Sequence, residues 1–237
     1  MALPMNVTPT YTLEIPSTKK KVKYRPFLVK DEKALLIAQQ SNDLNVIVDT
    51  IKELINSCVK DNIDVNKLAS FDLEYIFLQL RSVSVGEMTD VLLACDECND
   101  EKAVVKVSLN LNDIKVIIPK EHTTKIKLFN GVGVVMKYPS LDVVKKLDEL
   151  NESDVEHVFN IIVGCIDSIY DSDEVYPASE QREEDLMEFL NNLTSDQFEK
   201  IQQFFTSMPK LSKEVKYRCP VCDKEHNKVI EGLQSFF

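Results

Sequence analysis

Cys95-Asp96-Glu97-Cys98 is matched far downstream by Cys219-Pro220-Val221-Cys222. Two residues between the thiols let one tight turn present both sulfurs to a single ion. Two such turns supply the four tetrahedral sulfurs of a structural Zn²⁺. The 120 residues between Cys98 and Cys219 mean that such a metal ties the middle of the chain to its far end. The spacing predicts a clamp that closes the fold, not a small independent finger.

Each knuckle has the surroundings of a β-hairpin tip. Met88–Ala94 reads as a strand entering Cys95, and the alternation in 102–109 reads as the returning strand. Residues 214–218 run as a strand into Cys219, and 228–230 run out of the second knuckle. A core helix precedes each: Phe71–Arg81, apolar on most sides, and the segment carrying Leu186, Phe189 and Leu190. The chain therefore predicts two zinc-ribbon-like hairpins facing each other, with the intervening elements inserted between them.

Outward from the knuckles, the apolar period assigns the rest. Leu44, Ile47, Val48, Ile51, Leu54, Ile55 and Cys58 hold helical spacing over 42–58, and a shorter helix over 30–39 turns Leu35 and Ile37 or Ala38 inward. Strands are expected at 114–118, 125–129 and 132–137, with Asn130-Gly131 as a type I′ turn. Leu141, Val144, Leu147 and Leu150 then mark a helix. Val155, Val158, Phe159, Ile162, Cys165, Ile166 and Ile169 mark the next, opened by the capping box Ser153-x-x-Glu156. Thr194-x-x-Gln197 caps one more, with Phe198, Ile201, Phe204, Phe205 and Met208 toward the core. Cys58 and Cys165 lie on apolar stripes and read as packing thiols. The fold class is α+β: hairpins and a small antiparallel sheet packed against six or seven helices. Prolines at 4, 9, 16 and 26 make residues 1–28 an extended arm, containing short strands near Tyr11–Ile15 and 22–28. Residues 29–237 are expected to form a single compact domain.

Composition narrows the function. Hydrophobic residues make up 44% of 237 and charged residues 28%, which is globular, and no apolar run approaches the ~20 residues that span a bilayer. The first residues lack an h-region and a basic start, so no signal peptide is expected. In the reducing compartment this implies, CxxC pairs read as metal or redox sites and not as disulfides. The net charge of −11 opposes binding to phosphate backbones.

A thioredoxin-like centre is one competitor for the cysteines. It needs CxxC at a helix N-terminus, whereas both motifs here follow strands, and Asp96, Glu97, Asp100 and Glu101 flank the first. Four thiolates leave no open position for a catalytic water. His226, four residues past Cys222, either replaces a cysteine or supports the site from outside it. A zinc ribbon binding nucleic acid or a transcription complex is the second competitor. Such ribbons carry basic and aromatic residues around the metal, whereas the first knuckle is acidic and the second mixed. No phosphate-loop, dinucleotide, metalloprotease or nucleophile-elbow motif occurs. His122 and His157 have no evident nucleophile partner, and Asp171-x-Asp173-Glu174 lacks the glycine and distal glutamate of a calcium loop.

Several blocks resemble a known family. They are Leu3-Pro4…Pro9-x-Tyr11…Ile15-Pro16-Ser17-Thr18, then Arg25-Pro26-Phe27-Leu28-Val29-Lys30-Asp31-Glu32-Lys33. Phe71-Asp72-Leu73-Glu74-Tyr75-Ile76-Phe77, Arg81-Ser82-Val83-Ser84-Val85-Gly86-Glu87, Met208-Pro209-Lys210-Leu211 and Phe236-Phe237 follow in order. Together they resemble the baseplate hub or hub-assembly subunits of T4-like contractile-tailed phages, with residues 110–200 matching only in general character. The resemblance implies a non-enzymatic viral protein made in the host cytoplasm, acting on other baseplate proteins, with a place in the tail baseplate hub or a role in building it. The net charge and the lack of a long apolar run imply no nucleic-acid or membrane partner. Read from the residues, the arm either docks onto a neighbouring subunit or folds back onto its own core, and Phe236-Phe237 either tucks under the clamp or serves as a docking peptide. One structural Zn²⁺ per chain, on Cys95, Cys98, Cys219 and Cys222, is inferred from the cysteines themselves.

Overall fold

The computed structural model describes residues 7–41, 43–98, 100, 102–140, 143 and 155–232. Among them are six α-helices and eleven strands, and every strand pair is antiparallel. The chain divides into two compact units, residues 1–117 with 210–237, and residues 118–209.

In the first unit, β1 (Tyr11–Glu14) and β2 (Lys21–Tyr24) form a hairpin. Leu13, Ile15, Val22 and Tyr24 are buried, so this part of the proline-bearing N-terminal segment is packed into the unit. Ser17, in the hairpin turn, donates from its N–H (2.9 Å) and its hydroxyl to the fully buried carboxylate of Asp72. Asp72 sits in the first turn of α3 (Ser70–Ser84), where the helix dipole favours negative charge. Burial still pushes its carboxyl above the usual range.

α1 (Val29–Ser41) packs on α2 (Leu44–Cys58), which Asp43 caps through its carboxylate and the Asn45 N–H at 2.8 Å. Asp31 and Ala38 are the buried residues of α1, and Ile37 points outward. Cys58 is fully buried, as its place on the apolar stripe predicts.

α3 is the centre of the unit, with Leu73, Ile76, Leu78 and Leu80 fully buried. Leu78 joins Val91, Leu93, Leu109, Leu111, Ile114, Leu211, Val215, Tyr217 and Ile230 in one cluster. These residues come largely from the hairpin β3 (Met88–Ala94)/β4 (Val104–Asn110) and from the sheet β11 (Glu225–Glu231)–β10 (Lys210–Arg218)–β5 (Lys115–Ile117). Both knuckle-bearing hairpins thus use their inward alternate residues to cover the same helix.

The second unit is the sheet β6 (Lys125–Phe129)–β7 (Val132–Met136)–β8 (Ile166–Tyr170)–β9 (Val175–Pro177) with α4 (Val155–Gly164), α5 (Glu183–Asn191) and α6 (Ser195–Thr206). Asn130 and Gly131 both have positive φ, 42° and 83°, as a type I′ turn requires. The expected helix through Ile169 stops at Gly164. Ile166 and Ile169 instead pair as β8 with Met136 and Val134 of β7. The apolar period carries on through this junction, and cross-strand packing of two β-branched residues decides the conformation. The Gln197 side chain accepts from the Thr194 N–H at 3.0 Å, the Gln half of the expected capping box. The helix expected from Leu141, Val144, Leu147 and Leu150 falls in residues 141–150, of which only Val143 is described. Ser153 of the other capping box, Leu3-Pro4 and Phe236-Phe237 also lie outside the described residues.

Candidate metal centre

β3 delivers Cys95 and β10 delivers Cys219, each as the first residue past its strand. The turns that follow are closed by the backbone. Cys95 N–H donates to the Ala103 carbonyl at 2.9 Å, and Cys219 N–H donates to the Lys224 carbonyl at 3.0 Å. Asp223 takes φ 58° to complete the second turn, and its N–H returns to the Cys219 carbonyl at 3.0 Å. Within that turn the Val221 N–H points at Cys219 Sγ, 3.4 Å away.

The four sulfurs converge. Cys95 Sγ lies 4.0 Å from Cys222 Sγ, Cys98 Sγ lies 3.9 Å from Cys219 Sγ, and all four atoms fall within 4.8 Å of one another. Four thiolates at about 2.3 Å from a tetrahedral zinc stand roughly 3.8 Å apart, whereas a disulfide needs about 2.05 Å. The separations therefore suit four ligands around one ion, and all six cysteines of the chain are unbridged. Cys95 and Cys219 are buried, Cys98 and Cys222 half-buried, and Ala103 packs with them.

Protons are unevenly held among the thiols. Hydrogen bonding with Cys222, then burial, pushes Cys98 up to about 12. The Cys222 backbone N–H draws Cys219 down to about 7, against burial. One sulfur is thus already disposed to ionise near neutrality, and a bound cation would displace the remaining protons.

Side chains outside the four cysteines join the knuckles. Lys228 Nζ reaches Asp96 at 3.0 Å, and Lys224 bonds Glu97. The acidity of the first knuckle, which reads as unfavourable for thiolates, is matched by the lysines of the second. Tyr217 donates its hydroxyl to the Ala94 carbonyl at 3.0 Å and stacks on His226, its cross-strand partner, at 5.3 Å. His226 Nε2 stands 3.3 Å from Cys95 Sγ, beside a sulfur of the set. Sequence reasoning picks out the four cysteines and His226. It misses Tyr217, Lys224 and Lys228, whose only cue is that they flank the second knuckle closely in sequence.

Among the described residues the other sequence candidates do not assemble into sites, and the His157 side chain lies outside those described. His122 is held between Ser207 Oγ and Tyr138 Oη, each at 3.0 Å, and packs on Phe204. The Ser207 hydroxyl itself donates to the Gln203 carbonyl at 2.6 Å, so it is a helix-end group and not a free nucleophile. Asp171 spends its carboxylate on the Asp173 and Glu174 N–H groups and on Tyr176, which hold it below the usual range and close the β8–β9 turn.

The family profile described as T4 bacteriophage base plate protein matches residues 8–237. The chain belongs to that family. Among curated proteins, this base plate family member is 24% identical over 227 residues to the baseplate hub assembly protein gp26 of Enterobacteria phage T4. The match covers 96% of this chain and 97% of that relative. No solved structure matches the chain.

Proposed function

We propose that this protein is a non-enzymatic structural or assembly subunit of the central baseplate hub of a T4-like contractile-tailed phage. It acts by protein–protein contacts in the host cytoplasm and on the growing tail. The near end-to-end match with a hub assembly protein carries this reading. Within it, Cys95, Cys98, Cys219 and Cys222 hold one structural Zn²⁺, supported by their mutual distances. Held by these four sulfurs, an ion would tie the β3–β4 hairpin to the β10–β11 hairpin. Tyr217, Lys224 and Lys228 hold the same two turns in register.

The charge arrangement argues against the nucleic-acid reading. Of the six basic residues between Lys210 and Glu231, Lys210, Lys213, Arg218, Lys224 and Lys228 each face an acidic side chain. A surface whose cations are already paired offers little to a phosphate backbone. The test is removal of the gene from the encoding phage. Infected cells should accumulate tail parts without completed hubs, and supplying the protein in trans should restore them. Normal baseplates without the gene would overturn the reading.

A further inference from the structure

α1 is anchored along one narrow line. Asp31 and Ala38 are buried and Leu35 is half-buried, which places the opposite side of a 3.6-residue helix at Val29, Lys33, Leu36 and Gln40, with Ile37 and Lys30 beside that row. Val29 is 83% exposed, Leu36 54% and Ile37 57%. Three large apolar side chains on one outward helical face, at i, i+7 and i+8, have the spacing by which helices pack ridge into groove.

The charges around the row are unbalanced. Asp31 is turned inward, where Arg25 bonds it at 3.0 Å and the Leu28 N–H donates to it at 2.8 Å. Lys30 and Lys33 form no ion pair among the described residues, and Glu32 stands on the other rim. Residues 17–33 hold seven basic and two acidic residues, a local +5 in a chain of −11. Lys19, Lys20, Lys21 and Lys23, in the hairpin that precedes α1 in sequence, are exposed as well, with Lys20 Nζ turned to the Asn62 carbonyl at 3.1 Å.

We propose that the outward face of α1 docks an acidic amphipathic helix of another baseplate protein. Val29, Leu36 and Ile37 receive its apolar residues, and Lys30 and Lys33 meet its carboxylates. A second copy of this chain is a poorer occupant. Among the described residues its acidic helix, α5, buries Leu186 and Leu190 and shows Glu184, Glu188 and Asn191 outward, with no apolar row to offer. The exposed leucine and isoleucine favour a protein over a nucleic acid. This inference rests on the assembly reading above.

The test co-expresses the full-length chain with each other hub protein of the same phage, one at a time. The wild type is compared with Leu36→Asp/Ile37→Asp and with Lys30→Glu/Lys33→Glu. These residues are exposed, so both variants should keep the wild-type melting temperature. One hub protein should co-purify with the wild type, with affinity at least about tenfold weaker for each variant and with a salt dependence that the lysine variant loses. Equal retention by both variants would overturn the docking face and leave the assembly reading intact. Failure of every hub protein to bind the wild type would overturn both. A wild-type homodimer dissociated by the apolar variant would assign the face to a second copy and overturn the proposal. Single-stranded DNA bound by the wild type and lost with the lysine variant would assign it to nucleic acid, with the same consequence.

Discussion

Cys98 and Cys219 stand 121 positions apart in the chain, and their sulfurs lie 3.9 Å apart in the fold. Two hairpins that cover one helix, α3, bring them there, so the covalent path between them is far longer than the spatial one. Joining such distant segments removes more freedom from the unfolded chain than joining near ones.

On the proposed zinc reading, Cys98→Ser is expected to lower the melting temperature of the first unit by about 10 °C, because it removes one of four ligands and weakens the whole closure. Cys58→Ser, at a buried thiol outside the four-sulfur cluster, serves as the comparison and should leave metal content unchanged. Calorimetry of both variants checks this. A Cys98→Ser protein that melts with the wild type would remove the clamp from the account.

Truncation of residues 1–16 should destabilise the first unit. It removes Leu13 and Ile15, 6% and 1% exposed. Each buried aliphatic side chain contributes about 2 kcal/mol, giving roughly 4 kcal/mol for the pair. Truncation of residues 1–10, which lie before β1, should cost little by comparison. Urea unfolding of the two truncations measures the difference.

His122 sets a pH dependence. Burial lowers its pKa from the ordinary 6.5. The Ser207 hydroxyl is committed to the Gln203 carbonyl, so neutral His122 donates from Nδ1 to Ser207 and accepts at Nε2 from Tyr138. The unfolded chain therefore binds the proton more tightly than the folded one. The histidine's stabilising contribution is full above pH 6.5 and falls away as the pH drops through the lowered folded value. His122→Gln should flatten stability over that window. An NMR titration placing the His122 imidazole above 6.5 would contradict this.

Gly133 is the residue of β7 with no room for a side chain. A Cβ there would run into the Ile126 carbonyl and the Tyr170 hydroxyl, which bond each other at 3.3 Å. Gly133→Ala should destabilise the second unit by about 1–3 kcal/mol, the usual range for overpacking. Equilibrium unfolding followed through this unit's tyrosines reports it.

Much of this is legible in the residue order. β3 has the bounds expected of Met88–Ala94, a short stretch rich in strand-forming residues that leads into Cys95, and the Asn130-Gly131 turn forms because its backbone demands those residues. The four site cysteines are readable because ligand chemistry fixes their spacing. Other features depend on contacts that no local pattern carries. Ile166 and Ile169 continue a helical stripe in sequence, and only β7 makes them a strand. Prolines in the first 28 residues signal an extended path and leave open whether it reaches outward or folds back; burial of Leu13, Ile15, Val22 and Tyr24, with Ser17 bonded to Asp72, 55 residues away, holds its hairpin against the core. The pairing of Asp96 and Glu97 with Lys228 and Lys224 likewise appears only once the two hairpins meet.

Native mass spectrometry of the purified protein, with thiol titration before and after a chelator, addresses the clamp most directly. The account predicts one zinc per wild-type chain, four thiols that become reactive when the chelator removes it, and no retained zinc in Cys98→Ser. A metal-free wild type, made and purified with zinc present and folded to the same melting temperature, would contradict it.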